Sequence, residues 1–244
     1  MLVGLCLVPC STASAQNYLQ PEKGIISADV LTWDYSNQLR QVLLRDSPQW
    51  YLARMFCLPS FQPEWVVTVV RVEDKDEHFD DPFTYYVEYA GAEEQVSNSK
   101  RKDLENLKVR RARASLDKQT AEALNRVWYR MLHASRYPKE PGIGADGVGY
   151  HFSRKVAFVS RGRGDPLAGR EDGQIWSPDD DTPCDDLTLI GEELKDYAEA
   201  KLPDREKYRE RLRAKIRGLE KKLDGLRKTL KKRESRIKKT KGRR

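Results

Sequence analysis

The three histidines, His78, His133 and His151, form neither an H-E-x-x-H zinc site nor any i, i+4 ligand pair. His151 is the one placed for chemistry. It follows the glycine-rich crossing Pro141 to Gly149 and sits between Tyr150 and Phe152 in a short predicted strand. That placement puts its imidazole at a sheet edge beside Asp146, with Tyr150 adjacent, where it could serve as a general base in a small hydrolase. The plainer alternative is a rim or core histidine bonded to backbone. No G-x-S-x-G elbow supplies a nucleophile.

Gly142, Gly144 and Gly147 make a G-x-G-x-x-G string, but dinucleotide binding needs a strand before it and a helix N-terminus after it. Here a helix and two prolines precede and a strand follows. The kinase version fails as well, since Gly149 stands where valine belongs and neither H-R-D nor D-F-G follows. Asp74, Asp76, Asp80 and Asp81 form one acidic cluster; Asp179, Asp180, Asp181, Asp185 and Asp186 form another. Both lack the sixth-position glycine of a calcium loop, and the second precedes a helix whose dipole suits carboxylates without a metal. No cofactor and no metal is expected. Arg163-Gly164-Asp165 matches the integrin-adhesion tripeptide without any supporting context.

The first sixteen residues carry no charge. Leu2 to Val8 is apolar and Ala13-Ser14-Ala15 offers a small-x-small site, so residues 1–15 read as a signal peptide cleaved after Ala15, with a buried strand as the alternative. Cleavage would remove Cys6 and Cys10 and leave Cys57 and Cys184. In an exported chain these two are candidates for one disulfide, worth about 4 to 5 kcal/mol by chain entropy, or else two buried thiols. No apolar run reaches the roughly 18 residues of a transmembrane span.

The elements that would position these groups centre on the segment from Leu116 to Phe152. Ala121, Leu124, Trp128, Met131 and Leu132 fall at helical spacing behind Asp117, an N-cap, so a helix runs from Asp117 to His133. It ends before Tyr137-Pro138. Earlier, Ser36 to Arg45 reads as a short helix, and Trp50 to Leu58 is too short to assign by period. Residues 65–72 are valine-rich on both faces, which predicts a central strand, pairing antiparallel across an acidic loop with Phe83 to Tyr89. Val109 to Ser115 is a third strand; Tyr150 to Phe152, Val156 to Ser160 and Gln174 to Trp176 are shorter ones. A second amphipathic helix starts at Asp185 or Asp186, with Leu187, Ile190, Leu194 and Tyr197 on one face. Strands grouped with few helices between them predict an α+β fold over residues 16–202: an antiparallel sheet with two or three helices on one face.

Residues 203–244 differ in kind. The last forty residues hold 20 Lys and Arg against 5 Asp and Glu, a net +15, whereas the remainder holds 25 against 33, a net −8. Leu212, Ile216, Leu219, Leu223, Leu226, Leu230 and Ile237 follow one heptad frame, interrupted at Arg233, so a long basic amphipathic helix with a coiled-coil-like oligomer seam is expected. In a parallel homodimer Lys215 would face Glu220 but Lys222 would meet Arg227, a mixture that favours an acidic partner helix, an antiparallel pair or a tail that folds only weakly alone. The tail has no aromatic residue after Tyr208 on which bases could stack, which excludes sequence-specific nucleic-acid reading.

Together these features predict an exported, periplasmic or secreted protein without enzymatic activity, a scaffold or binding module. Its basic helix would mediate self-association or contact with an anionic surface or polyanion. The alternatives are a small exported hydrolase at His151 and, if the leader is misread, an intracellular nucleic-acid-associated protein.

Overall fold

A computed structural model describes residues 18–21, 30–48, 50–73, 83–99, 101–136, 147–158 and 167–241. The signal-peptide segment, Asp146, the first acidic cluster, His78 and the Arg163-Gly164-Asp165 tripeptide lie outside them. The elements in chain order are β1 (Gln20–Pro21), α1 (Val30–Leu43), β2 (Ala53–Pro59), β3 (Trp65–Glu73), β4 (Phe83–Ala92), β5 (Val109–Leu116), α2 (Lys118–His133), β6 (Val148–Phe158), β7 (Leu167–Trp176), α3 (Pro183–Glu199) and α4 (Arg205–Lys241). Short 3-10 helices occupy Val96–Asn98, Arg101–Asn106 and Leu202–Asp204.

The seven strands form one antiparallel sheet in the order β1-β7-β6-β2-β3-β4-β5. This is the α+β architecture expected, ending in the long C-terminal helix. β2 to β5 run as a meander; α2 then carries the chain back across the sheet, so that β6 pairs with the free side of β2. The segment that periodicity left undecided, Trp50 to Leu58, thus becomes a central strand. Its Met55 is fully buried, and its register with β3 and β6 is continuous.

Alternation along the strands separates two cores. Trp65, Val67 and Val69 of β3 join Met55, Val87 and Phe152 under α2 and α3, while Val66 of the same strand meets Leu39, Val42 and Leu43 of α1 on the other face. A strand with apolar side chains on both faces needs cover on both, and α1 supplies the second. α2 and α3 thus pack on one face as expected, and α1 adds cover to the other.

The helix caps follow their sequence signals. Asp117 accepts from Thr120 N at 2.9 Å and opens α2. For α3 the cap is Thr182, accepting from Asp185 N at 3.1 Å, and Pro183 takes the first turn. The helix begins two residues before the expected Asp185 because proline's missing N–H costs nothing there. The three short strands expected around residues 150–176 are two long ones, β6 and β7, in unbroken register from Gly149↔Trp176 to Phe158↔Leu167. Arg154 and Lys155 interrupt the apolar alternation without interrupting the ladder.

Edge strand β5 is covered. Arg205 Nη2 donates to Arg113 O at 3.1 Å and the Tyr197 hydroxyl donates to Ser115 O. Unpaired edge groups invite pairing with another chain, and here α3 and α4 supply side-chain donors to them.

α4 is a further layer, packed on α3 and α2. Leu212, Ile216, Leu219 and Leu223 are buried in the same core as Trp128, Leu187 and Leu194. Four ion pairs fix its register: Arg213 with Asp117 (2.9 Å), Lys222 with Asp186 (2.7 Å), Arg126 with Glu220 (3.2 Å) and Arg130 with Asp224 (2.8 Å). Surface pairs of this kind contribute about 0.2–1 kcal/mol each, so they select the register while leucine and isoleucine burial supplies the energy.

A fifth pair is unlike these. The Glu193 side chain is 2 % exposed and meets Arg211 at 3.1 Å. Burial pushes the Glu193 carboxyl above its ordinary value of 4.5, against the pull of Arg211 and Lys215. A carboxyl raised on folding binds its proton more tightly in the native state, so its contribution is complete below the unfolded value and is lost as pH rises through the folded one. Glu193→Gln, which mimics the neutral form, should therefore gain stability relative to the parent between about pH 4 and about pH 8. Thermal unfolding at the two pH values measures this; an unchanged difference contradicts it.

Candidate functional site

Strand alternation divides the residues that the sequence brings together around His151. His151 points to the α1 side of β6, while Tyr150 faces α3 beside Cys57 and is 8 % exposed. Burial raises the Tyr150 phenol above its usual range, with Cys57 and Glu192 adding to the shift. Asp146 lies outside the described residues. The structure thus places His151 and Tyr150 on opposite faces of the sheet, because consecutive residues of a strand must diverge.

His151 lines instead a cavity of about 280 Å³ between α1 and the sheet, with Tyr35, Ser36, Leu39 and Arg40 above it, and Phe56, Leu58, Ser153, Arg170, Asp172 and Gln174 below. The polar members already have geometry. Ser153 Oγ and the Tyr51 hydroxyl are 3.1 Å apart, and Arg170 Nε donates to Asp172 at 2.7 Å. Ser153 is thus engaged with Tyr51, and Asp172 is held by Arg170. Sequence reasoning found only His151 here. The signal for the rest lay in two polar alternations, His151-x-Ser153 and Arg170-x-Asp172-x-Gln174, which line one face of neighbouring strands.

Cys57 and Cys184 are both buried and both free. They take the thiol alternative, and the disulfide expectation is corrected: Cys57 on β2 and Cys184 in the first turn of α3 both sit in the apolar core, where burial pushes each thiol up to about 12. Thiols so raised are inert at neutral pH. Of the second acidic cluster, Asp186 pairs with Lys222, whose ammonium also donates to Asp181 O at 3.1 Å. That cluster docks α4. Among the described residues no three His, Cys, Asp or Glu side chains converge as a metal site would.

The seam of α4 is divided in two. Leu212, Ile216, Leu219 and Leu223 are spent inside the chain, which corrects the expectation of one intermolecular seam running from Leu212 to Ile237. Leu226 and Leu230 are 51 % and 47 % exposed, and residues 224–232 are all exposed. The Ile237 side chain lies outside the described residues. The charges divide at the same point. Between Arg205 and Asp224 the helix holds 9 Lys and Arg against 4 Asp and Glu; the twenty residues after Asp224 hold 11 against 1, a net +10. Two of the acids in the first half, Glu220 and Asp224, reach back to arginines of α2.

This α+β protein, with a seven-stranded antiparallel sheet and a long C-terminal helix, presents a polar cavity under α1 and a strongly cationic helix end. The chain matches no family model, no curated protein and no solved structure. No helix among the described residues is long and apolar enough to cross a membrane.

Proposed function

We propose that the chain is an exported, non-enzymatic binding protein whose body anchors a cationic helix for contact with an anionic phospholipid surface. One observation carries this reading: among the described side chains of α4 the buried apolar residues stop at Leu223 and the acids that pair with α2 stop at Asp224, and the sequence beyond holds a net +10 with two half-exposed leucines. Each Lys or Arg near an anionic lipid surface contributes about 1 kcal/mol, so half a dozen of them would hold the chain at micromolar to sub-millimolar affinity. Leu226 and Leu230 add shallow apolar contact. Export rests on the uncharged leader and its Ala13-Ser14-Ala15 site.

The burial of the first four seam residues supports the surface over self-association. Two exposed leucines are too few for a stable coiled coil, and two copies of a +10 segment repel. Co-sedimentation of the full chain with phosphatidylglycerol vesicles tests the reading, with phosphatidylcholine vesicles and duplex DNA as the other arms. Retention on the anionic vesicles that is lost toward about 0.5 M salt is expected. Equal retention on the neutral vesicles, no retention on either, or tighter binding to DNA would reject it.

A further inference from the structure

The turn between β2 and β3 presents Phe61 at 78 % exposure, the highest value for a large apolar side chain among the described residues. A single exposed ring needs no explanation. This one, however, stands on a pinned backbone. Ser60 donates its N–H and its hydroxyl to Gly147 O at 3.0 and 2.9 Å, and Gln95 Nε2 donates to Ser60 O at 3.0 Å and to Gln62 O at 3.4 Å. The residues on either side of Phe61 are thus tied down, so little backbone freedom is left to lose when the ring meets a ligand.

Phe61 also has company. With Trp65 of β3 and Tyr150 of β6, both buried, it lines a cleft of about 500 Å³ whose other wall is α3. That wall carries Glu192, Lys195 and Asp196, which share one helical face at i, i+3 and i+4. Lys195 is already oriented, its ammonium lying 5.1 Å from the centre of the Trp65 ring. Burial raises the Glu192 carboxyl, Lys195 and Lys215 pull it back, and Asp196 and Asp185 push it further. Ammoniums and carboxylates stand interleaved, and neither sign dominates. A ligand's net charge gains little there, whereas hydroxyl groups, each both donor and acceptor, suit such a wall. The aromatic side asks for the opposite, weakly positive C–H groups against the negative face of a ring. A pyranose presents both, C–H groups on its face and hydroxyls around its rim.

We propose that this cleft binds a neutral saccharide of one or two hexose rings, with a ring face stacked on Phe61 and hydroxyls that donate to Glu192 and Asp196 and accept from Lys195. A volume of about 500 Å³ accommodates a molecule of that size. The inference uses no residue beyond Asp224 and is independent of the lipid contact proposed for α4.

The test uses the full chain and three neutral probes, N-acetylglucosamine, cellobiose and maltose, with choline and glucuronate as the cationic and anionic arms. Titration calorimetry should give saturable 1:1 binding of at least one neutral sugar with Kd on the order of 1 mM or below. Phe61→Ala and Asp196→Ala should each weaken that sugar by at least about fivefold. Both side chains are exposed, so the two variants should keep the parent's melting temperature, and either carries the test alone. Tyr129→Ala, which removes a half-exposed ring on α2, should leave the affinity unchanged. No binding by any of the three sugars, tighter binding of choline or glucuronate than of every sugar, unchanged affinity in the Phe61 variant, or an equal loss in the Tyr129 variant would each overturn the proposal.

Discussion

Replacing Leu212 or Ile216 with alanine should destabilise the whole protein by about 2–5 kcal/mol each, as for any fully buried aliphatic side chain of a core. Both are at or below 2 % exposure, and both belong to the cluster containing Trp128, Leu187 and Tyr197. On the view of a detached basic tail the same substitutions would leave the body untouched. Leu226→Ala or Leu230→Ala, each two heptads further along, should change unfolding by no more than about 0.5 kcal/mol. Denaturant unfolding of the four variants gives the comparison, and equal effects at all four positions would contradict the division of α4. A chain ending at Pro203 exposes the outer faces of α2 and α3 and should not fold stably, whereas one ending just after Asp224 retains Leu212, Ile216, Leu219 and Leu223, the buried residues among those described in the helix.

The second large effect concerns binding. Changing Arg227, Lys228 and Lys231 together to glutamate removes three cations and adds three anions in a segment whose side chains are exposed. At about 1 kcal/mol for each charge near an anionic lipid surface, six units of change remove about 6 kcal/mol, which takes the expected vesicle affinity below detection. The melting temperature should be unchanged, since none of the three contributes to the core. The matching triple change to glutamine removes only the cations, and should leave weak binding between those extremes. Vesicle binding that survives the glutamate variant would show that the contact is made elsewhere on the molecule.

The parts of the fold legible in the sequence are those where one local signal decides. The Asp117 cap with an apolar stripe behind it specifies α2, and valines on both faces of residues 65–72 specify a buried central strand. Both are set by near neighbours. The two-residue strand Gln20–Pro21 was illegible because two residues have no period, and its place at the sheet edge depends on β7, some 150 positions on in the chain. α4 was legible as a long helix, but the surface that covers its seam was not. A heptad stripe states that Leu212 to Leu230 need a partner surface, but intramolecular and intermolecular burial leave the same pattern in the chain.

The cavity shows a third kind of illegibility. His151, Ser153, Asp172 and Gln174 are polar residues at alternate strand positions, which a sequence reader assigns to a solvent-facing sheet. Only α1, reaching over them from more than a hundred residues upstream, makes that face an enclosed one. Tyr35 of the same helix is tied down by Glu64, which accepts its hydroxyl at 2.7 Å and the Val96 amide at 2.8 Å. No local pattern announces a buried glutamate that bridges a helix and a turn.

Amide hydrogen exchange along α4 tests the central claim most directly, because one helix contains both halves. Amides from Leu212 to Leu223 should exchange only through global unfolding of the body, and those beyond Gly225 should exchange far faster, through fraying of an unsupported helix. A step in protection at Asp224 is the predicted result. Uniform protection to the end of α4, or uniform rapid exchange from Arg205 onward, would contradict it.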